Sequence, residues 1–538
     1  MWKLKPQNES AAESLSRALN LSLALARVLA ARGTLEPGAA RRFLYPQLKD
    51  LVSVWQLPDI EPAVDRLASA VRRREPILIW GHEDLDGMTS AVCLRSTLRD
   101  LHGVVTSFIP AKGAERHGLS VERIKGYSNQ GIRLVVTVDC GVTNVDEVEE
   151  IQRDGIDVII TDHHEVLENL PAARAVVNPK REDRSYPFPY LAGVGVALKV
   201  AQALAERMVG TRPEEFYSVE PELLVMAALG GIADRVPMLG ENRILIRHGL
   251  DRLRRVPLPS IQAVLEAAGV RLEELTVSRF VTELLPLFAS ADGNKGVEML
   301  LNPDLNATRG WAKELADQCR TWRVEAHATL ERARQDMDIS PGLIVVRNET
   351  LSLRALGYCA ARIKDEYLLP VMVIGRREND WVGECRGVSG VNLVALLKTN
   401  ARYFLDYGGH AKACGFTVPD EHVTAFIRDA KAYAAANFQG RITETREPIA
   451  DAEVGLTEIN DDLRLIGPIG EGNPEVLLIA RSERLERKAD HIQAPAAHAL
   501  VIRENGVRLA QPGDYDVLYG LDEELVVTLH ELQPASGC

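Results

Sequence analysis

Carboxylate and imidazole side chains cluster directly after short apolar runs in this sequence. The first cluster places His82, Asp84 and Asp86 at alternate positions of one segment. Alternate side chains of an extended segment point the same way, so these three could face one metal ion. A solvated acidic turn is the alternative interpretation of this segment when it is considered alone.

Further candidate ligands are assigned to three more strand ends. They are Asp139, Asp162, His163, His164 and Asp234. This mixture of oxygen and nitrogen donors suits Mn²⁺ or Mg²⁺, and the lack of thiolates argues against structural zinc. Two ions about 3.5 to 4 Å apart can generate a hydroxide and stabilise an in-line displacement at phosphorus. The ligand set therefore predicts phosphoester hydrolysis with two ions, Mn²⁺ first and Mg²⁺ as the alternative.

The elements that would position these residues alternate between helix and strand. An amphipathic helix is predicted over 61–74, because apolar side chains recur there at helical spacing. Short apolar runs predict strands at 76–80, 104–109, 134–138 and 158–160. This alternation predicts an α/β fold with a parallel sheet that is buried on both faces. Since ligands bind at the carboxyl ends of such strands, the clusters should meet at one edge of the sheet.

Length and composition bound the class of protein. At roughly 100 to 200 residues per domain, 538 residues predict about three domains. The chain is 46% hydrophobic and 26% charged, which is typical of a folded protein. The formal net charge of -13 excludes a protein that coats nucleic acid through overall basicity. Any polyanion must therefore be held by local features.

The cysteines and the early part of the chain indicate a cellular setting. The seven cysteines include no CxxC pair and are odd in number, which favours neither a disulfide framework nor a zinc ribbon. The apolar run at 21–31 is cut by Arg27 and is shorter than the roughly 20 residues of a membrane span. We therefore expect a cytoplasmic protein with no membrane partner. A monomer is the default, because no pattern indicates a symmetric interface.

The remaining pattern predicts several domains. A charged, helix-prone stretch separates two α/β regions, and short strands with turn signals after it predict a small β-barrel. The predicted division is an N-terminal helical segment at 1–60, a parallel-sheet domain at 61–300, a connecting helix at 301–340, a smaller α/β domain at 341–445 and the small barrel at 446–538.

Taken together, these motifs resemble the DHH phosphoesterase superfamily and, within it, the RecJ family of bacterial single-strand-specific exonucleases. The match spans nearly the whole chain and includes the clusters above. Its further segments are 31–33, 42–46, 178–179, 186–196, 241–243, 408–410 and 467–474. The resemblance implies a DHH domain, a DHH-associated substrate-binding domain and a C-terminal OB-like domain.

The resemblance also implies roles for individual residues. It implies one metal held by His82, Asp84 and Asp139, and a second held by Asp86, Asp139, His163 and Asp234. Asp139 would then bridge the two ions. His164 would lie beside the scissile phosphate, and Asp162 would orient the neighbouring histidines.

The smaller α/β domain would face this metal centre across a cleft. Gly408 and Gly409 would let backbone amides approach a phosphate, and His410 with Arg386 could add charge-assisted contacts. An ordinary tight turn is the alternative for the glycine pair. The arginines at 243–255 could track a phosphodiester backbone, and a solvated helix face is the alternative for them.

Two departures from the family bear on function. His82 stands where bacterial RecJ proteins usually have Asp, which affects the expected metal preference and rate. The C-terminal region is shortened, and from residue 475 onward it has 6 Lys and Arg against 11 Asp and Glu. That balance repels phosphate unless the basic residues share one face.

The leading hypothesis is a two-metal hydrolase that degrades single-stranded DNA from the 5′ end to mononucleotides in repair or recombination, with other repair or replication proteins as partners. Direction and biological role come from the resemblance alone. A phosphodiesterase for short oligoribonucleotides or cyclic dinucleotides is the alternative enzyme, favoured by the acidic C-terminal region and opposed by the RecJ-like N-terminal segment. A non-catalytic nucleic-acid or replication-complex scaffold is the alternative from another class. Retention of the full ligand set opposes it.

Overall fold

The computed structural model describes residues 2–111, 118–167, 169–442, 447–488, 491–497, 500–507, 509 and 511–535. Within these residues the strands form four sheets, of which two belong to α/β units. The candidate ligands all lie on the first of these units.

The N-terminal segment is a short strand followed by three helices. Asn8 and Ser22 cap the first two helices, because their side chains accept hydrogen bonds from backbone amides of the first turn. The elements are β1 Lys3–Leu4, α1 Glu9–Leu19, α2 Leu23–Ala31 and α3 Pro37–Leu44.

The parallel-sheet unit follows. Its five strands run in the order β3-β2-β4-β5-β6 and all neighbours pair in parallel, as the apolar runs predict. The elements are α4 Ile60–Arg72, β2 Ile77–Gly81, α5 Leu85–Asp100, β3 Val105–Phe108, α6 Val121–Ser128, β4 Leu134–Val138, α7 Val145–Arg153, β5 Asp157–Thr161, β6 Ala175–Val177 and α8 Gly193–Val209. Strands β2 and β4 are buried along their whole length, so they sit in the middle of the core.

A helical region packs against helices α5 and α8 and ends in a long helix that leads to the second unit. The helices are α9 Pro213–Val219, α10 Pro221–Ala233, α11 Gly240–Arg255, α12 Pro259–Ala268, α13 Val277–Arg279, α14 Leu285–Phe288, α15 Gly293–Leu301 and α16 Leu305–Gln335, with a π-helical turn at Phe280–Leu284. In the described part of the chain no single helix has the length and apolar character of a membrane span. The pair α9 and α10 meets that test only when taken together across an 89° bend.

The second α/β unit contains a six-stranded sheet in the order β11-β12-β10-β9-β8-β7. Its pairs are antiparallel except for β8 with β9. The elements are β7 Met337–Ser340, β8 Leu343–Asn348, α17 Leu356–Tyr367, β9 Val371–Arg377, β10 Asp380–Arg386, α18 Leu393–Thr399, β11 Asp406–His410, β12 Ala413–Pro419 and α19 Asp420–Asn437.

The C-terminal region is a mixed sheet, and the expected closed barrel is not confirmed. Among the described residues the order is β14-β15-β18-β19-β17, with β16 paired to β15, and the first and last strands do not pair with each other. Both of these end strands are only two residues long, which limits the pairing they can offer. The strands are β13 Ile449–Ala450, β14 Ala452–Glu453, β15 Val476–Lys488, β16 His491–Gln493, β17 Ile502–Arg503, β18 Gly513–Leu521 and β19 Val527–Pro534.

The N-terminal helices and the C-terminal sheet share one hydrophobic core. Leu15 and Leu25 are fully buried in the same cluster as Leu478 and Val517. Strand β1 also pairs in parallel with β13. The two ends of the chain therefore fold against each other, which the local sequence pattern did not indicate.

Arg243 ties this terminal assembly to the parallel-sheet unit. Its side chain is buried, lies 3.8 Å from the ring centroid of Phe43, and donates to the carbonyls of Phe43, Leu465 and Gly467. Burial, and next the charge of Arg247, lower the pKa of Arg243 to about 9. The sequence analysis gave two interpretations for the arginines of this helix, a phosphate-binding groove and a solvated helix face. Both are wrong for Arg243, because helix α11 is covered on that side.

Candidate metal centre and active site

Three adjacent strands bring the candidate ligands to one edge of the parallel sheet. Strand β2 ends at Gly81, β4 at Val138 and β5 at Thr161, and β4 lies between the other two. Asp139 follows β4 in a left-handed backbone conformation with a φ of 60°. A non-glycine residue in that region is uncommon and marks a position that the surrounding structure holds in place.

The first ligand group consists of His82, Asp84 and Asp139. One ligand atom from each lies within 4.8 Å of the other two. The Nδ1 atom of His82 is 3.2 Å from Asp84 Oδ2 and 3.8 Å from Asp139 Oδ2. Asp84 also caps helix α5, because its side chain accepts a hydrogen bond from Gly87 N.

The second ligand group forms around His163. Its Nε2 atom is 3.8 Å from Asp86 Oδ2, 3.0 Å from Asp139 Oδ1 and 3.8 Å from Asp234 Oδ2. Asp139 therefore turns one oxygen towards each group. The structure brings together both ligand sets that the sequence analysis anticipated, with Asp139 between them.

Close approach of backbone holds Asp86 in position. Its two oxygens accept hydrogen bonds from Gly193 N at 2.7 Å and Val194 N at 2.9 Å, at the beginning of helix α8. A Cβ atom on Gly193 would lie 2.6 Å from Asp139, and one on Gly230 would lie 2.6 Å from Asp86. These glycines let two helices approach the carboxylates.

The carboxylates are buried and repel one another. Burial, followed by the charge of Asp84, raises the pKa of Asp86 to about 7. Burial and the charge of Asp86 also raise the pKa of Asp139 and of Asp234 well above their usual range. Burial, and then the charge of His164, lower the pKa of His163.

This electrostatic pattern fits a divalent cation. Asp139 Oδ1 and His163 Nε2 are buried and have no hydrogen-bond partner among the described residues. Buried polar atoms normally have a partner, and a cation between them would supply one. Carboxylate and imidazole donors match the preferences of Mn²⁺, and carboxylates those of Mg²⁺.

His164 is positioned by Asp162. The Nδ1 atom of His164 lies 2.7 Å from Asp162 Oδ1, which also accepts from the backbone amides of His163 and His164. Burial alone would raise the pKa of Asp162, but the charge and hydrogen bond of His164 hold it below its usual range. An ionised Asp162 orients the ring with Nδ1 protonated and Nε2 directed away from the carboxylate.

Strand β11 of the second unit, which carries Gly408, Gly409 and His410, reaches this centre. The ring of His410 stacks on that of His164, with centroids 4.7 Å apart and planes inclined by 12°. Gly409 has a φ of 122°, and a Cβ atom there would lie 2.5 Å from Ala413 O, so this position of the strand requires glycine. Gly408 lies near Thr143 on the parallel-sheet unit, with 3.8 Å between its Cβ position and Thr143 Cγ2.

Arg386 is separated from strand β11 by strand β12. It ends strand β10, pairs in register with Ala413 and forms an ion pair of 2.9 Å with Glu384. The described contacts do not connect it to either ligand group, so its contact with substrate stays a prediction.

Two features of the site were missed by the sequence analysis. Lys180 lies 3.0 Å from His410 Nδ1, across the boundary between the two α/β units. The amides of Gly193 and Val194 donate hydrogen bonds to Asp86, a contact that the sequence analysis did not anticipate. For the amide contacts, the available signal was Gly193, because glycine permits close backbone approach. For the lysine, the signal was its position directly after Asn178-Pro179.

Comparisons with known proteins agree with this arrangement. The DHH family, N-terminal domain, matches residues 76–230, and the DHHA1 domain matches residues 341–436. Single-stranded-DNA-specific exonuclease RecJ of Escherichia coli is 30% identical over 491 residues, which cover 86% of this chain and 84% of that protein. RecJ of Bacillus subtilis is 30% identical over 504 residues, covering 90% of this chain and 62% of that protein. The chain thus spans less than two thirds of the length of that second relative.

A solved structure extends the likeness to the whole described fold. The crystal structure of RecJ from Thermus thermophilus in complex with Mn²⁺ superposes with a TM-score of 0.77 at 25% identity, covering 99% of this chain and 79% of that chain. The Thermus thermophilus protein has also been solved in complex with Mg²⁺. Since a relative that is 30% identical is matched over 84% of its own length, the chain belongs to the RecJ family.

Proposed function

We propose that this protein is a metal-dependent exonuclease that hydrolyses single-stranded DNA. The observation that carries the proposal is the pair of ligand groups joined by Asp139, with His164 and His410 stacked beside them. The names of the RecJ relatives support single-stranded DNA as the substrate. A 5′ to 3′ direction, release of mononucleotides and a role in repair or recombination follow from the same family resemblance.

The two ligand groups would hold two Mn²⁺ ions, or Mg²⁺ in their place, which supply an activated water and charge stabilisation at phosphorus when bound. Metal-bound relatives support this assignment. His82 gives the first group a nitrogen donor where an oxygen donor is usual in the family. This site should therefore prefer Mn²⁺ to Mg²⁺ as its bound ion.

The protein's own side chains supply orientation around the reacting phosphate. Asp162 fixes the ring of His164 beside the place assigned to the scissile phosphate, with Nε2 directed away from the carboxylate. His410 lies against that ring from the opposite unit, so a phosphodiester held there would be enclosed from two sides. Enclosure excludes bulk water and strengthens hydrogen bonds to the developing charge.

The further parts of the proposal concern organisation. They comprise the five-part domain division, a shortened OB-like C-terminal domain, a monomer, a cytoplasmic location and repair or replication proteins as partners. The acidic balance of the C-terminal region makes it a poor general binder of nucleic acid. We therefore assign substrate retention to the two α/β units rather than to the C-terminal sheet.

The proposal is tested with single-stranded DNA labelled at either end and incubated with the protein and Mn²⁺. Parallel reactions contain duplex DNA, RNA, short oligoribonucleotides and a cyclic dinucleotide. The expected result is release of mononucleotides from the 5′ end, lost in Asp139→Ala and kept in Asp317→Ala, an exposed carboxylate on helix α16. Cleavage confined to short or cyclic substrates would replace the proposal with a small-substrate phosphodiesterase. No metal-dependent turnover of any substrate would leave the scaffold alternative.

A further inference from the structure

Lys180 connects the two α/β units at the candidate active site. Its Nζ atom lies 3.0 Å from His410 Nδ1 and 3.1 Å from Glu165 Oε1, and the side chain is 14% exposed. Asn178 holds this segment against the site, because it accepts from Lys180 N and donates to His164 O. The lysine is therefore built into the site rather than placed loosely on the surface.

The contact with Lys180 determines which nitrogen of His410 carries the hydrogen. An ammonium group has three donors and no acceptor. Nδ1 of His410 must therefore present its lone pair to Lys180, which leaves the hydrogen of the neutral ring on Nε2. The same ammonium group forms an ion pair with Glu165.

The Nε2 atom of His410 lies across the ring from the contact with Lys180. It is buried and has no hydrogen-bond partner among the described residues. One ring nitrogen from each of His163, His164 and His410 lies within 4.8 Å of the other two, so the ring of His410 is close to the place assigned to the scissile phosphate.

We propose that Lys180 is a positioning residue that fixes His410 as an Nε2–H donor towards a phosphate oxygen of the substrate. The inference rests on the proposed function for the identity of the substrate. The tautomer of His410 follows from the contact alone. The same contact excludes His410 as a metal ligand through Nε2, because that nitrogen carries a hydrogen.

The tautomer can be measured without any activity. Nitrogen-15 labelled histidine distinguishes protonated from unprotonated ring nitrogens in long-range proton–nitrogen spectra, and His410→Asn identifies the signals of this ring among the 12 histidines. We expect a protonated Nε2 and an unprotonated Nδ1 in the native protein and in Lys180→Arg, since guanidinium also has no acceptor. In Lys180→Met this preference should be lost.

Kinetics then show whether the tautomer matters for the reaction. Lys180→Met should lower kcat about 10- to 100-fold with a smaller change in KM, as for loss of other groups that orient a functional side chain. Lys180→Arg should restore much of the rate. In an His410→Asn background, Lys180→Met should change kcat by less than about twofold, because the two residues act as one unit.

Lys398→Met is the matched control. Lys398 also crosses between the two units, donating to Val166 O at 3.1 Å, but it does not contact His410. It should keep the native tautomer and kcat.

A native tautomer with Nδ1 protonated would overturn the inference, and so would equal losses of kcat from Lys180→Met in the native and His410→Asn backgrounds. One result separates the two proposals. If the tautomer is as expected but neither the native protein nor any variant cleaves DNA, the proposed function is wrong and the positioning of His410 by Lys180 still holds.

Discussion

Gly193 offers the sharpest steric test of the candidate site. In Gly193→Ala the added Cβ would lie 2.6 Å from Asp139 Cβ and Oδ1, whereas ordinary contacts begin at 3.4 Å. Helix α8 or Asp139 must therefore move by about 0.8 Å. The same helix start donates the two amides that hold Asp86, so both ligand groups are disturbed at once.

A displacement of this size has a predictable cost. Misplacing catalytic groups by about 1 Å can lower a rate about 100-fold, and overpacking of a buried contact costs about 1 to 3 kcal/mol. We expect Gly193→Ala to lower kcat about 100-fold and to weaken Mn²⁺ binding, measured by exonuclease assay and by calorimetric titration. Thermal unfolding of the variant shows whether enough folded protein is present.

Gly195→Ala is the matched control for this prediction. It lies two residues along the same helix, and its Cβ would meet only the side chain of Leu191 at 3.1 Å. That side chain can shift, so activity should stay within about twofold of native. Native kcat and native Mn²⁺ affinity in Gly193→Ala would refute the proposed packing of helix α8 on the ligands.

Three further predictions follow from other contacts. Asp162→Asn should lower kcat about 10- to 100-fold with little change in KM, because His164 loses its ionised partner; unchanged steady-state kinetics would contradict the role given to Asp162. Arg243→Met should destabilise the protein by about 1 to 3 kcal/mol, since Phe43 O loses its donor and the guanidinium no longer lies over the Phe43 ring, whereas exposed Arg255→Met should not alter thermal unfolding. Burial, and next the charge of Asp100, raise the pKa of Glu220 to about 7. Between the usual carboxyl pKa and pH 7 the folded state therefore binds a proton that the unfolded state has released. The protein loses this part of its stability as pH rises through that window. In Glu220→Gln that part of the pH dependence of the melting temperature should disappear, and a profile identical to native would show that Glu220 is not its source.

Local pattern was sufficient to predict the parallel sheet. The apolar run at 134–138 coincides with β4 Leu134–Val138, and the helix expected over 61–74 is α4 Ile60–Arg72. Because the strands are parallel and adjacent, residues that directly follow them must meet at one edge. Topology therefore accounts for the candidate ligands that follow β2, β4 and β5. Asp234 instead caps the C-terminus of helix α10, so the strand end expected for it is wrong.

Contacts between distant parts of the chain could not be predicted in this way. The contact of Lys180 with His410 spans 230 residues, and Arg32 reaches Asp451 across 419 residues. Neither pairing leaves a periodic signal, because each depends on how separate units pack. Helix α11 illustrates the same limit, since its arginines look solvated in sequence while Arg243 is covered by the two ends of the chain.

The central claim is that Asp139 joins two metal sites. The most direct measurement is titration of metal-free protein with Mn²⁺, followed by calorimetry and by electron paramagnetic resonance, in native protein, Asp139→Ala and the surface control Asp317→Ala. The account predicts two ions per chain with a spin-coupled signal in native protein and in the control, and loss of the coupled pair in Asp139→Ala. A single ion in native protein, or two coupled ions with native affinity in Asp139→Ala, would contradict it.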